Sequence, residues 1–257
     1  MNVATWNVNG IRAREAEFLA WAGSEAPDVI CLQEIKAGSA QLSLALGTLS
    51  SYWSYWHGAG GYSGVSLHLK KETFPDPPEF SHPAFDRETR IVEARCGELA
   101  FASVYLPNGG KDFGAKLAFM KALEAYTREA QEAGKHLVIS GDMNVTRSEV
   151  DVHPSQRNPR LIGQLPVERD LFERIIGNGL VDVGRALDPD NDRLFTWWPY
   201  WRSARTRNLG WRLDYVLASS ALAARARTCR VFPEIGTSDH APVIASFEYS
   251  PGRESLA

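Results

Sequence analysis

Residues 113–144 read FGAKLAFMKALEAYTREAQEAGKHLVISGDMN, in which a helical pattern is followed directly by a strand pattern. Apolar side chains recur every three or four positions in the first part, Asp112 can cap the start and Gly134 can end the helix. We therefore predict a helix over 113–133. The apolar run at 136–140 predicts a strand that stops at a polar turn. A helix that leads straight into a strand is typical of an α/β fold.

The same alternation of patterns extends along the rest of the chain. A second helix is predicted over about residues 12–21, and the polar segment at about 146–166 is predicted to be a long surface loop. No linker, low-complexity tract or repeat interrupts the pattern, so we predict one α/β domain over residues 1–250 and a loose tail over 251–257. The further predicted strands are 3–6, 29–32, 64–69, 91–95, 99–106, 213–217, 228–232 and 243–247.

The composition is that of a compact globular protein, with 44% hydrophobic and 23% charged residues among 257. The net charge is −3, so a nucleic-acid partner would need a local basic patch. Cys31, Cys96 and Cys229 are odd in number and contain no CxxC pair, which favours a reducing compartment. The N-terminus lacks a signal-peptide pattern and no apolar stretch approaches the ~18 residues of a membrane span. We therefore expect a cytoplasmic protein, at the nucleoid if bacterial, without a membrane partner.

Polar residues follow many of the predicted strands, where side chains from distant parts of a chain can meet at one sheet edge. They are carboxylates, amides, one tyrosine and one histidine, and no Cys or Ser with a partner suggests a nucleophile. Oxygen-rich ligands suit Mg²⁺ or Mn²⁺ better than Zn²⁺, and Mg²⁺ usually bridges to a phosphate. This set favours phosphoryl chemistry by an activated water. It comprises Asn7, Asn9, Gln33, Glu34, Tyr105, Asn108, Asp142, Asn144, Asp214, Ser238, Asp239 and His240.

Each of these residues alone has an ordinary structural explanation, because an Asn or Asp after a strand is often a turn residue.

The segment 193–212 also has both a functional and a structural interpretation. It interleaves aromatic residues with arginines and contains no acid, which suits a nucleic-acid backbone with an unstacked base or sugar. Any single tryptophan among them could equally be a packing residue, whereas the cluster as a whole favours nucleic-acid binding. The members are Arg193, Trp197, Trp198, Tyr200, Trp201, Arg202, Arg205, Arg207, Trp211 and Arg212.

Seven motifs cover essentially the whole chain: TWNVNGIRA (5–13), LQEIK (32–36), GYSGV (61–65), YLPNGG (105–110), GDMNV (141–145), NLGWRLDY (208–215) and GTSDHAP (236–242). In sequence and order they resemble the motifs of the exonuclease III and human-type abasic-site (AP) endonuclease family, within the endonuclease/exonuclease/phosphatase superfamily. The resemblance implies a four-layered α/β sandwich, with two packed mixed β-sheets flanked by helices. It also implies a site at one rim of the sheets.

The resemblance further implies a Mg²⁺-dependent DNA-repair hydrolase, with Mn²⁺ able to substitute. Such an enzyme cuts the backbone 5′ to abasic sites and has 3′–5′ exonuclease and 3′-end-cleaning activity. Glu34 would be the principal metal ligand. Asn9 stands where many relatives carry aspartate, which removes one negative charge from the site. The residues placed at or near the metal are Glu34, Asn7, Asn9, Asp142, Asn144 and Asp239.

The catalytic roles follow from the same resemblance. Asp142 would hold and deprotonate the attacking water, and Asn144 would orient both. His240, oriented by Asp214, would donate to a phosphate oxygen, because a neighbouring carboxylate raises the pKa of a histidine and fixes its ring. Further contacts to the phosphate would come from Tyr105 and Asn7.

The implied partner is double-stranded DNA with abasic sites or blocked 3′ ends, bound by a monomer. Trp197, Trp211 and Leu213 would wall the pocket for a flipped abasic sugar, and Trp201 would wedge into the duplex. The residues expected to contact DNA are Arg12, Ala13, Lys36, Tyr62, Asn108, Lys111, Asn158, Trp201 and Arg212.

Two other functions remain open at this point. One is a phosphatase or phosphodiesterase of the same superfamily that acts on a non-DNA substrate such as a sphingomyelin or an inositol phosphate. The motifs at 61–65 and 211–215 and the basic aromatic segment favour DNA over this alternative. The other is a catalytically inactive nucleic-acid-binding relative, which retention of the five acid and histidine positions argues against. Those positions are Glu34, Asp142, Asp214, Asp239 and His240.

Overall fold

The computed structural model describes residues 1–252, 255 and 256, and within them the strands form two six-stranded mixed sheets. The first sheet has the strand order β11-β12-β1-β2-β4-β3 and the second has the order β5-β6-β7-β8-β10-β9. The strands are β1 (Asn2–Asn7), β2 (Val29–Gln33), β3 (Tyr52–His57), β4 (Val65–Lys70), β5 (Glu79–Ser81), β6 (Ile91–Cys96), β7 (Leu99–Tyr105), β8 (His136–Asp142), β9 (Leu180–Asp182), β10 (Asp214–Ser219), β11 (Ala226–Val231) and β12 (Val243–Phe247).

The helices pack against the sheets, the longer ones on their outer faces, whereas the short helices at 183–187 and 220–223 add buried residues to the core between the sheets. They are α1 (Glu15–Glu25), α2 (Leu44–Gly47), α3 (Phe113–Glu132), α4 (Pro166–Gly177), α5 (Val183–Leu187) and α6 (Ser220–Ala223). On the first sheet, Phe18 and Trp21 of α1 pack with Trp6 of β1. On the second sheet, Met120 of α3 and Phe172 of α4 belong to one core that also includes strand residues.

A third core lies between the sheets and is rich in β-branched residues, which suit closely packed strands. It contains Val3 and Leu67 from the first sheet, and Phe101, Val138 and Val216 from the second. The order of layers is therefore helix, sheet, sheet, helix. This confirms the predicted four-layered α/β sandwich.

The topology gathers the ends of the central strands at one rim. β1 is parallel to β2 and β7 is parallel to β8, so each pair ends on the same side of its sheet. In register, Asn7 stands opposite Gln33, and Tyr105 stands opposite Asp142. β10 is antiparallel to β8 and begins with Asp214 opposite Asp142. β1 contacts β8 and β10 across the interface between the sheets, so these ends face one another.

Helix α3 forms as the sequence predicts. The Asp112 side chain accepts a hydrogen bond from the Ala115 N–H at 2.8 Å, which caps the helix, and Gly134 follows with φ 66°. The predicted helix at 12–21 is shifted. A 3₁₀ turn (Ile11–Ala13) comes first and α1 extends to Glu25.

Several elements differ from the sequence prediction. β3, β5 and β9 were not predicted, and α4 begins at Pro166, where the predicted loop was expected to end. The tail was expected to be loose, yet Leu256 is buried and its N–H donates to Glu98 Oε1 at 3.2 Å, so this part of the tail packs on the domain. Residues 253, 254 and 257 lie outside the described residues. Within the described chain, none of the helices combines the length and apolar character needed to cross a lipid bilayer.

Candidate active site

The side-chain amide of Asn7 lies at the centre of the rim. Its Nδ2 donates to Glu34 Oε1 at 3.0 Å and to Asp142 Oδ2 at 2.9 Å, and lies 3.4 Å from Nε2 of His240. Asn7 is fully buried, so its polar atoms need these partners. One amide thus links residues of both sheets, because Asn7 ends β1 and Glu34 follows β2 in the first sheet, whereas Asp142 ends β8 in the second.

Glu34 and Asn9 hold the ammonium group of Lys36 between their side-chain oxygens. The Lys36 ammonium lies 2.7 Å from Glu34 Oε2 and 2.6 Å from Asn9 Oδ1. All three residues have positive φ, which ordinary side chains rarely adopt, so the rim backbone holds these groups in strained conformations. Burial would raise the pKa of Glu34, but hydrogen bonds from Asn7 and Lys36 and the charge of Lys36 lower it below its usual value. Glu34 is therefore an anion at neutral pH.

The oxygen atoms at this position fit a small divalent cation. Glu34 and Asn9 already direct oxygens at one positive charge, and Asp239 adjoins them by accepting from Asn9 Nδ2 at 2.9 Å. Trp197 Nε1 donates to the second carboxylate oxygen of Asp239 at 3.0 Å. Burial would raise the pKa of Asp239, but nearby His240 and these donors lower it, so Asp239 also carries a negative charge. Hard cations prefer such oxygen ligands.

Asp142 and Asn144 form a second part of the site. The Asn144 backbone N–H donates to Asp142 Oδ1 at 2.9 Å, and its side chain donates to Leu106 O at 2.9 Å. Gly141 is required before them, because a Cβ there would lie 1.8 Å from Val104 O. Burial raises the pKa of Asp142 to about 7, with the charges of Asp214 and Glu34 adding to the rise against the lowering effect of His240. A carboxylate with a pKa near neutrality is suited to take up a proton.

His240 is held by a buried carboxylate. Its Nδ1 lies 2.8 Å from Asp214 Oδ2, and its Nε2 lies 3.7 Å from Asp142 Oδ2. Burial alone would lower the pKa of His240, but Asp214, Asp142 and Asp239 raise it to about 10. The imidazole is therefore a cation at neutral pH, able to donate from Nε2. The ligand atoms of Asp142, Asp214 and His240 all lie within 4.8 Å of one another, a grouping that could also hold a metal ion.

Tyr105 supplies a neutral donor beside these charges. It ends β7 opposite Asp142, and burial together with the charges of Glu34 and Asp142 raises its pKa far above the usual value. The phenol therefore keeps its proton. The Arg90 guanidinium lies 4.9 Å from the Tyr105 ring centre and donates to the Tyr62 hydroxyl at 2.6 Å.

The predicted pocket residues lie next to His240. Trp197 and Trp211 form an edge-to-face pair with ring centres 5.5 Å apart, and the Trp197 ring centre lies 6.5 Å from that of His240. Trp211 Nε1 donates to Gln156 Oε1 at 2.6 Å, which fixes its plane. Leu213 is buried, one residue before Asp214. Trp201 projects from the same segment with 64% of its surface exposed.

Most residues predicted to contact DNA are accessible. Lys36 is half-buried, and its ammonium contacts Glu34 and Asn9. The Lys111 ammonium lies 5.5 Å from the Tyr62 ring centre. The exposed members are Arg12, Ala13, Tyr62, Asn108, Lys111, Asn158 and Trp201.

The prediction for Arg212 was wrong. Only 2% of its surface is exposed, and its guanidinium donates to Asp151 at 2.7 Å and to both oxygens of Asp182 at 2.8 and 2.7 Å. It also stacks on Tyr215, 4.3 Å from the ring centre. With its donors engaged in the interior, Arg212 is a structural residue that anchors the segment before β10.

The sequence analysis missed three groups at the site. Arg90, before β6, has no motif around it. Tyr200 receives a hydrogen bond from Asn9 Nδ2 at 3.2 Å and lies 3.4 Å from Asp239, although the sequence showed it only as part of an aromatic segment. Lys116 is fully buried, pairs with Glu168 and donates to Asn144 O at 2.8 Å. A lysine on the apolar face of α3 was the available signal, because a buried charge needs a partner.

The functional groups are divided between the two sheets. Asn7, Glu34, Asp239 and His240 belong to the ends and connections of the first sheet. Tyr105, Asp142, Asn144 and Asp214 belong to the second. The site therefore lies across the interface between the sheets.

Comparisons with known proteins agree with this geometry. The model of the Endonuclease/Exonuclease/phosphatase family matches residues 4–240. An exodeoxyribonuclease of Bacillus subtilis is 32% identical over 248 residues, covering 95% of this chain and 98% of that protein. Recombination repair protein 1 of Drosophila melanogaster is 32% identical over 252 residues, covering 96% of this chain, which spans only 37% of that relative's length.

Solved structures show the same likeness. A 3′ phosphatase from Neisseria, bound to a product DNA hairpin, superposes with a TM-score of 0.88 at 29% identity, over 97% of this chain and all of that one. An AP endonuclease from Archaeoglobus fulgidus superposes with a TM-score of 0.85 at 28% identity, over the same shares. Because the family model and the relatives match nearly the whole chain, and the site has the geometry described above, the chain belongs to the Endonuclease/Exonuclease/phosphatase family. It resembles the exonuclease III and AP endonuclease members of that family.

Proposed function

We propose that this protein is a Mg²⁺-dependent DNA-repair phosphodiesterase that cuts the backbone 5′ to abasic sites and removes nucleotides or blocking groups from 3′ ends. The observation that carries the proposal is the Asn7 amide, which donates to Glu34 and Asp142 and lies 3.4 Å from His240 Nε2, and so brings these three residues together. Carboxylate ligands for a cation, a proton acceptor and a cationic donor thus lie side by side, as hydrolysis of a phosphodiester requires. The names of the related exodeoxyribonuclease, 3′ phosphatase and AP endonuclease support a DNA substrate.

In the proposed reaction, Asp142 accepts a proton from a water molecule as the water oxygen attacks phosphorus. Asn144 fixes the Asp142 carboxylate through its backbone N–H. His240, protonated and held by Asp214, donates from Nε2 to a non-bridging phosphate oxygen. Tyr105 is a further donor, so negative charge that builds on the phosphoryl oxygens is stabilised, and Asn7 holds the Glu34 and Asp142 carboxylates through its two N–H groups. The bond from phosphorus to the sugar 3′-oxygen breaks, and the departing oxygen takes a proton from solvent to become a hydroxyl.

Glu34 would hold the metal ion, with Asn9 and Asp239 beside it. When bound, Mg²⁺ supplies positive charge to the phosphate and to the departing oxygen. Lys36 contributes positive charge at the same oxygens in this structure. Mn²⁺ has similar ligand preferences and should substitute.

The substrate proposed is double-stranded DNA with an abasic site or a blocked 3′ end, bound by a monomer. Trp197 stands beside His240, where a sugar extruded from the duplex would place its phosphate, and Trp211 packs edge-to-face on Trp197. An abasic nucleotide costs less to extrude than an intact one, because it has no base to unstack. The exposed Trp201 and the cationic Arg12 and Lys111 suit duplex contacts.

The test is an end-labelled duplex with one abasic analogue, incubated with Mg²⁺. Incision 5′ to the analogue is expected from the natural protein. Asp142→Asn should abolish incision yet leave DNA affinity similar, since it removes the proton acceptor and leaves the phosphate donors in place. Hydrolysis of inositol phosphates without cleavage of DNA would contradict the proposed substrate. Activity of Asp142→Asn within tenfold of the natural protein would contradict the role of Asp142.

A further inference from the structure

A second group of metal-ligand side chains lies outside the active site. His57 ends β3, His82 directly follows β5, and Asp86 stands in the turn after it. Their ligand atoms all lie within 4.8 Å of one another. His57 Nε2 is 2.5 Å from Asp86 Oδ2, and the two imidazole rings stack with centres 4.5 Å apart at 19°.

We propose that His57, His82 and Asp86 form a Zn²⁺ site that ties the two sheets together at their open edge. β3 is the last strand of the first sheet and β5 is the first strand of the second. Tyr55 of β3 and Phe80 of β5 stack with ring centres 5.4 Å apart, so the two edges already meet at this point. The ion would add a coordinate link between edges that share no ladder hydrogen bonds.

The donor set selects the ion. Two imidazole nitrogens and one carboxylate oxygen suit Zn²⁺ and similar borderline ions, whereas Mg²⁺ prefers oxygen ligands. With ligand bonds of about 2.0–2.1 Å, a tetrahedral ion holds its ligand atoms about 3.3 Å apart. His57 Nε2 and Asp86 Oδ2, 2.5 Å apart, are closer than that value, and all three ligand atoms lie within 4.8 Å of one another, so rotation of these side chains would admit the ion. Water would complete the fourth position.

The carboxylate is prepared for this role. The Asp86 side chain is only 1% exposed, and a buried carboxylate needs partners that offset its desolvation. Its Oδ1 accepts from the Arg90 N–H at 2.8 Å, which leaves Oδ2 directed at His57. A hydrogen-bonded His57–Asp86 pair would account for two of the three residues. It would not account for the His82 ring, which is exposed yet stacks on His57 with a nitrogen in ligand range.

The link would also reach towards the catalytic rim. Asp86 fixes the backbone of Arg90, and Arg90 in turn donates to Tyr62 and stacks on Tyr105. The ion would therefore hold the loop between β5 and β6 in the position that places Arg90. This makes it a structural site, separate from the oxygen ligands of Glu34, Asn9 and Asp239.

The experiment titrates Zn²⁺ into the full chain in millimolar Mg²⁺, which occupies the oxygen-rich site, and measures bound metal by equilibrium dialysis. His82→Ala is the test variant, because His82 is exposed and its loss should leave the fold intact. His153→Ala is the matched control, since His153 is a partly buried histidine bonded to Ser155 elsewhere. We expect the natural protein and His153→Ala to bind one more equivalent than His82→Ala, or to bind it at least tenfold more tightly.

Co²⁺ provides a second readout, because a tetrahedral site with nitrogen ligands gives intense visible absorption. The absorption should appear with the natural protein and His153→Ala and be absent with His82→Ala. Zn²⁺ should also raise the melting temperature of the first two proteins and not of the third, since a ligand that binds only the folded state stabilises it. Equal Zn²⁺ stoichiometry and affinity for the natural protein and a folded His82→Ala would overturn the proposal.

Discussion

Replacing Asp214 by Asn tests whether the buried carboxylate keeps His240 cationic. The carboxylate lies 2.8 Å from His240 Nδ1 and, after the opposing effect of burial, contributes most to raising the pKa of His240 to about 10. An adjacent opposite charge typically shifts a pKa by about 1–3 units, so Asp214→Asn should lower the pKa of His240 by that amount. Because the active form is protonated, activity is lost as pH rises through this pKa. The alkaline limb of the profile should therefore move to lower pH.

The size of the effect can be stated at one pH. With a pKa of about 10, roughly nine-tenths of His240 is cationic at pH 9, and with a pKa of about 8 the fraction falls to roughly one-tenth. The variant should lose about tenfold in kcat/KM at pH 9 beyond any loss at pH 7. Asp76→Asn makes the same charge change at an exposed loop and should leave the profile unchanged. An alkaline limb that stays in place in Asp214→Asn would refute a cationic role for His240 that depends on Asp214.

Three further predictions concern the metal, the pocket and the corrected arginine. Glu34→Gln should raise the Mg²⁺ concentration needed for half-maximal cleavage, because it removes the principal anionic ligand; an unchanged requirement would move the ion elsewhere. Trp197→Ala should lower the ratio of kcat/KM for abasic over intact duplex by widening the pocket, whereas Trp201→Ala should weaken abasic-duplex binding by about 1–3 kcal/mol with little effect on that ratio. If Trp197→Ala leaves the ratio unchanged, Trp197 is only a packing residue. Arg212→Met should lower the free energy of unfolding by about 3–5 kcal/mol in urea titrations, because it leaves buried carboxylates without their main partner, while the salt dependence of DNA binding stays the same.

The central helix and strands could be predicted because the hydrophobic pattern of each is typical of one kind of secondary structure. α3 repeats apolar residues on one face, and the buried strands β1, β2, β7 and β8 are short apolar runs. β3 reads YWSYWH and is half-buried throughout, so it shows neither alternation nor a fully apolar run. Edge strands of this kind carry a weak signal. The packing of Leu256 depends on Glu98, a contact that no local pattern contains.

The active-site residues that lie within the sequence motifs could be predicted, and those outside the motifs could not. Motifs gave the identities of Asn7, Glu34, Asp142 and His240, and the structure brings their side chains to one rim. Arg212 was misassigned because the sequence shows its charge beside tryptophans but not that Asp151 and Asp182 fold onto it. Arg90 was missed for the same reason. A cation's role depends on which distant acids and rings surround it, and local sequence does not contain that information.

The division of functional groups between two sheets makes the inter-sheet core part of the catalytic apparatus. The hydrogen bonds from Asn7 to Asp142 and between His240 and Asp214 both cross the interface. Protein interiors are packed as densely as organic crystals, so the volumes of Val3, Val138 and similar residues set how the sheets slide and separate. A shear of a few tenths of an ångström would stretch the crossing bonds while leaving each sheet's own ladder intact. Turnover should accordingly respond to core volume and to hydrostatic pressure well before the protein unfolds.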